Sequence, residues 1–178
     1  MLYSDVIAET AKLLGLKEGE EMTDEQEEKL LLGLKIVVDE LARSYFPLTR
    51  RETLEPVSGK IAYSKFEKTP TAIVKVELGG KTLPFARLYD GIEVKADKPV
   101  AVTYGFLPST PTASGETEWQ DASVPMRIIC FGTATEYCLM YGLEADAAMW
   151  DKRYRDALED ITLLAASGRR IPARRWSV

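Results

Sequence analysis

The sequence predicts an α+β fold: a four-helix unit of two N-terminal and two C-terminal helices, with a small antiparallel β-sandwich or barrel lobe inserted between them. Three observations predict it. Apolar residues recur at helical spacing over 2–14, over 23–45 and again from 126 to 166. The period drops to two between Arg50 and Phe106. Turn residues punctuate that middle stretch at short intervals. The resulting organisation is a helical domain of residues 1–49 and 120–178, an inserted β lobe of 50–107, and a flexible linker loop over 108–119 rich in Pro, Ser, Thr and Gly.

The elements follow in chain order. Over 2–14, Val6, Ile7, Thr10, Leu13 and Leu14 make one stripe, Ser4 is a candidate cap and Gly15 a stop. The second helix opens on a capping box, Thr23 with Gln26 three residues on, and Asp24, Glu25, Glu27 and Glu28 suit the positive end of its dipole. Leu30, Leu34, Val37, Val38, Leu41 and Tyr45 then recur at helical spacing until Pro47 ends the run. Gly33 is costly in mid-helix, by up to ~1 kcal/mol, and close packing against a neighbour would explain it. Strands are expected at 52–57, 60–63, 72–78, 81–85, 92–94 and 100–106, with turns at Gly79-Gly80 and Asp90-Gly91. Helix returns with Asp121 or Ser123 as cap and Pro125 in the first turn. Met126 to Tyr141 is apolar nearly all round, the pattern of a buried helix, and Gly142 caps it. The last helix runs from about Glu144 to Ala166, with Trp150, Tyr154, Ala157, Leu158, Ile161 and Leu164 on one face and Gly168 at its end.

The chemistry is constrained by what the chain lacks. It has no histidine, the commonest general base and metal ligand, and two cysteines alone do not build a tetrahedral zinc site. Cys130 and Cys138 on one helix stand roughly 12 Å apart, too far to bridge, and read as small buried hydrophobes. Leu78-Gly79-Gly80-Lys81-Thr82 superficially resembles a phosphate loop but joins strand to strand, so the hairpin reading is preferred. Ser58, Ser109, Ser114 and Ser123 have no histidine to activate them; a Ser–Lys dyad stays open without a motif behind it. Glu116 and Glu118 could act as an acid–base pair, but their polar loop favours a solvated reading. Trp150 and Tyr154 suit the core better than ligand stacking. No catalytic residue, metal or cofactor is therefore expected. No run approaches the length of a membrane span and no signal peptide is recognised, so the expected location is the cytoplasm.

Charge points to partners instead. The net charge is −5, yet the first 30 residues hold nine acids against three lysines, while Arg169, Arg170, Arg174 and Arg175 stand in the last ten with no acid. Ile171 and Trp176 beside those arginines are costly to leave in water, and Arg with Trp is a pairing enriched at interface hot spots. Arg169, Arg170, Ile171, Arg174, Arg175 and Trp176 are accordingly the candidate partner-binding residues, with a solvated terminus and contact to DNA phosphate as the alternatives.

Three features together resemble a known family. They are a short helix followed by a long one ending Tyr45-Phe46-Pro47-Leu48, the apolar helix with Ala134-Thr135-Glu136-Tyr137-Cys138-Leu139, and Trp150-Asp151-Lys152-Arg153-Tyr154 followed by Ala157-Leu158 and Arg169-Arg170-Ile171-Pro172. On these the chain resembles the head–tail connector (adaptor, head-completion) proteins of tailed bacteriophages and prophages. The lobe at 50–107 departs from the smallest, all-helical adaptors and is closer to larger ones with an inserted sheet. The resemblance implies a non-enzymatic ring of identical subunits beneath the portal, in the virion neck. It implies portal and tail or neck proteins as partners, and DNA passing without sequence-specific contact. Two alternatives stand beside it: a tail-completion or tail-terminator protein, and a small ligand-binding β module that stacks ligands on Tyr63, Phe66, Phe85, Tyr89, Tyr104 and Phe106.

Overall fold

The computed structural model describes residues 1–16, 22–119 and 124–167, with side chains described as far as residue 162. The fold is α+β. The chain divides into two compact units: Met1–Val38 with the chain from Thr110 onward, and Asp39–Ser109. The first division falls within the second helix, earlier than the pattern change at Arg50.

The first unit holds α1 (Tyr3–Leu13), most of α2 (Asp24–Glu40), α3 (Met126–Met140) and α4 (Glu144–Ser167). The capping box at the head of α2 is formed: the Thr23 N–H donates to Gln26 Oε1 at 3.0 Å and the Gln26 N–H to Thr23 Oγ1 at 3.3 Å. Ser4 lies inside α1, whose N-cap is Leu2 with no side-chain cap. The expected caps Asp121 and Ser123, and Gly168, lie outside the described residues. Gly142, at φ +69°, ends α3, and the Leu143 N–H reaches back to the Cys138 carbonyl at 2.9 Å.

Helical spacing places Leu30, Leu34 and Val37 on the buried face of α2, each worth about 1.5–3 kcal/mol on transfer from water. α3 is buried over most of its surface from Ile128 to Cys138, as its composition predicts. Trp150 and Tyr154 of α4 are also buried, and Trp150 joins Ala134, Cys138 and Ala147 in a cluster closed by Leu13, Leu14 and Phe131. The cost of Gly33 is explained here: a Cβ added to it would stand 3.1 Å from Glu136 Cβ and 3.3 Å from the Thr133 carbonyl of α3. Gly132 answers it from α3, where a Cβ would meet both Val37 methyls at 2.9 Å. Gly33 thus lets the α2 backbone approach the Thr133 carbonyl of α3, and Gly132 makes room on α3 for the Val37 side chain.

The segment expected as a linker loop is instead tied to the front of the chain. Leu2 bridges Glu116, the Tyr3 N–H donates to the Gly115 carbonyl, and the Thr117 N–H to that of Met1, both at 2.9 Å. Thr117 and Trp119 are buried there. Turn-rich composition signals irregular backbone, not whether that backbone finds partners.

The second unit contains seven strands: β1 (Leu48–Leu54), β2 (Lys60–Ala62), β3 (Pro70–Leu78), β4 (Lys81–Thr82), β5 (Phe85–Arg87), β6 (Gly91–Val94) and β7 (Val100–Phe106). They form two antiparallel sheets, ordered β1-β7-β3-β4 and β2-β6-β5. The Gly79-Gly80 hairpin is present, both residues at positive φ. A further two-residue turn, Ser58-Gly59 with φ +52° and +76°, joins Val57 to Lys60. β7 alternates strictly, burying Val100, Val102, Tyr104 and Phe106. β3 holds two extra residues against β7, Thr71 and Val74, so Val74 is thrown outward. Before β1, a π-helical turn over Leu41–Tyr45 adds a residue to the helical ladder. That rotates Tyr45 off the apolar stripe to which helical spacing assigns it, leaving it exposed.

Candidate interaction surfaces

α2 has a second face. Asp24, Glu28, Leu32 and Ile36 recur every fourth residue, all exposed, opposite the face that packs on α3. Leu32 is 50% exposed and Ile36 40%. The last turn of α3 adds Leu139, and the connection to α4 Tyr141 and Leu143, to the exposed apolar residues of this unit, and Met149 follows on α4. The Lys29 ammonium sits over the Tyr141 ring at 3.6 Å and pairs with Glu25 at 2.8 Å, and the Glu25 bond raises its pKa. The expected partner-binding residues Arg169, Arg170, Ile171, Arg174, Arg175 and Trp176 lie outside the described residues.

A polar network in the β lobe was not legible as a motif. Glu52 and Arg50 alternate onto the inner face of β1 opposite Val102 and Tyr104. The Tyr104 hydroxyl donates to Glu52 Oε1, the Glu67 N–H donates to Glu52 Oε2 at 3.2 Å, and Arg50 Nε lies 3.0 Å from Glu52 Oε1. Arg50 also pairs with Glu67, and the Lys68 N–H donates to the Tyr104 oxygen at 3.3 Å. Burial, with the neighbouring Glu52 carboxylate second, pushes the Tyr104 phenol up to about 12. Near neutral pH this tyrosine is a donor, not a base. The network pins the chain after the short 3-10 turn Tyr63–Lys65 onto β1 and β7. The only sequence signal was two charges at inward positions of a strand.

No family model matches this sequence, and no curated protein matches it significantly.

The remaining expectations concern chemistry. Lys68 Nζ donates to Ser109 Oγ at 2.8 Å, so the lysine and serine of an open alternative do meet. Ser109 is exposed, however, and the Lys68 ammonium, 6.0 Å from the Phe106 ring centroid, belongs to a half-buried side chain instead of one sunk in apolar packing. Glu116 is exposed while Glu118 is half-buried. Cys130 and Cys138 are both free and buried; burial pushes the Cys130 thiol up to about 11 and that of Cys138 upward as well. Among the described residues there is no group of three His, Cys, Asp or Glu side chains that could hold a metal ion, and no helix long and apolar enough to cross a membrane. Of the lobe aromatics, Phe66, Tyr104 and Phe106 are core, Phe66 meeting Tyr104 edge-on at 4.9 Å; Tyr89 stands fully exposed at the tip of the β5–β6 hairpin. A groove of about 270 Å³ lies between the π turn, β1 and β3, lined by Pro47, Leu48, Ala72, Val74, Phe106 and Leu107 among others.

Proposed function

We propose that this protein is a head–tail connector subunit of a tailed phage or prophage, assembling as a ring beneath the portal and extending the DNA path toward the tail. The observation that carries the reading is the second face of α2. Its inward face is fully occupied by the unit's own core, yet Leu32 and Ile36 stand exposed in line with carboxylates. A helix that needs one apolar face to fold and carries apolar residues on another has a surface suited to other chains. The exposed residues around the α3–α4 turn support the same reading, as does the order of elements, helix pairs flanking an inserted lobe of two antiparallel sheets. The three motifs named above are those on which the chain resembles that family.

The action is mechanical. Each subunit presents one patch to the neighbour on one side and a different patch to the other, and the ring closes when the rotation between them does. The charge asymmetry between the start of α2 and the arginines at 169–175 suits such head-to-tail contacts. The decisive experiment is electron microscopy of the purified chain mixed with the portal encoded beside it. Added ring density is expected on one face of the portal, and its absence at saturating protein would end the reading. Deleting residues 169–178 is expected to weaken that docking.

A further inference from the structure

We propose that the exposed ridge of α2, Asp24, Glu28, Leu32 and Ile36, is the seat for the basic segment 169–176 of a second copy of this chain. The inference deepens the assembly reading above and names the contact between neighbours.

The ridge and the segment are matched in kind. The ridge offers two carboxylates, then two aliphatic side chains exposed by 50% and 40%. The segment offers Arg169-Arg170-Ile171 and, five residues on, Arg174-Arg175-Trp176, each a pair of cations followed by one large apolar residue. Arginine forks fit carboxylates in pairs, and Ile or Trp is the partner that exposed Leu and Ile lack. The ridge spans roughly 18 Å along the helix, and the segment in extended form about 22 Å, so the lengths correspond.

Topology then favours another copy for the segment. α2 runs antiparallel to α3: Gln26 bonds Tyr137, Gly33 meets Thr133 and Glu136, and Val37 meets Gly132. α4 folds back along α3, and its Tyr154 ring lies against the same Gly132. Val37 and Tyr154 are therefore level. From that level α4 continues about 20 Å to Ser167 in one direction, while Glu28 lies about 14 Å away in the other. Within one chain the segment must cover some 33 Å along the axis before it meets Glu28. Arg169 and Arg170 follow Ser167 by two and three residues, or at most about 11 Å, and stay well short. Arg174 and Arg175 approach only at full extension, about 25–29 Å plus their side chains. A second copy is under no such limit.

The test is a charge exchange read by sedimentation equilibrium on the full chain at low salt. One variant carries Asp24→Arg and Glu28→Arg; the other carries Arg174→Glu and Arg175→Glu. The unsubstituted chain is expected to self-associate with rising concentration. Each variant alone should associate at least about tenfold more weakly, because like charges now face each other. An equimolar mixture should regain association to within about threefold, at 1:1 stoichiometry, since the basic segment of the first meets the acidic ridge of the second and the acidic segment of the second meets the basic ridge of the first. Far-ultraviolet melts check that both variants fold. An unsubstituted chain that stays monomeric at every attainable concentration, variants that associate unchanged, or a mixture that stays apart each overturns the assignment. Failure of the portal mixture overturns the connector reading without touching this result, because the present measurement uses the chain alone.

Discussion

Replacing Gly132 with alanine tests the account of the helical unit most directly. The added methyl would stand 2.9 Å from both Val37 methyls and 3.1 Å from Tyr154 Cε2, where carbon atoms prefer 3.5–4.0 Å. Val37 has little room to yield. It is 1% exposed, and a valine in a helix keeps essentially one χ1 rotamer. Forcing the contact costs about 1–3 kcal/mol, against which alanine in a helix recovers about 0.8–1.0 kcal/mol. The expected net is a destabilisation of about 1 kcal/mol in urea unfolding followed by circular dichroism. Val37→Ala alone should cost about 2 kcal/mol through lost burial and the cavity it leaves. Combined, the two changes relieve the clash and partly refill the space, so the double variant should be about 1–3 kcal/mol more stable than the sum of the singles. Gly132→Ala stabilising by the whole alanine preference, with strict additivity in the double variant, would refute the close crossing of α2 and α3.

Four more expectations concern particular groups. Tyr104→Phe removes a hydroxyl that donates to the Glu52 carboxylate and accepts from the Lys68 N–H, and should cost the lobe about 2 kcal/mol in denaturant unfolding. Because the folded Tyr104 phenol is raised from 10.0 to about 12, the fold holds its proton more tightly than the unfolded chain does; its contribution is intact below pH 10 and fades as the pH climbs toward 12. Absorbance titration at the phenolate band should show a late-ionising set that includes Tyr104 and Tyr137, and the Phe variants should each remove one member. Cys130 and Cys138, both buried, should resist a disulfide reagent in native protein near neutral pH and react together on unfolding; rapid native labelling of either would contradict their placement. Gly91→Ala would drive a methyl to 2.2 Å from the Ile61 carbonyl oxygen, backbone that cannot move without parting β2 from β6. A loss of about 3 kcal/mol or more is expected, read as selective loss of exchange protection in 60–62 and 91–94.

Much of this architecture is legible in the chain because it rests on local rules. The capping box, Gly15, Pro47, Gly79-Gly80 and Gly142 each act within one turn of backbone, and the α2 and α3 stripes follow directly from spacing. What escaped depends on partners distant in sequence. β1 begins at Leu48, ahead of the strand that alternation predicts from Glu52, because two of its inward positions are Arg50 and Glu52; an inward charge reads as outward until Tyr104 and the Glu67 N–H are known to meet it. Helical spacing misplaces Tyr45 because nothing in 41–45 announces a π turn. Trp119 and Thr117 lay in turn-rich sequence whose burial depends on Met1 and Tyr3 at the far end of the chain. The exposed ridge of α2 is marked in the sequence only by Leu32 and Ile36 falling outside the inward stripe, a weak signal in a helix already rich in aliphatics.

The two units also differ in how the ribosome delivers them. Asp39–Ser109 is one unbroken stretch with its own interior, so all its strand partners exist once Ser109 has emerged. The helical unit has its first two helices made early, while α3 and α4 follow the lobe. At about 5–20 residues per second, α1 and α2 wait some 6–25 seconds for the chain through Ser167. For that interval Val6, Ile7, Leu30 and Leu34 have no α3 to cover them, and the nascent polypeptide is most in need of a chaperone while its middle is already folded.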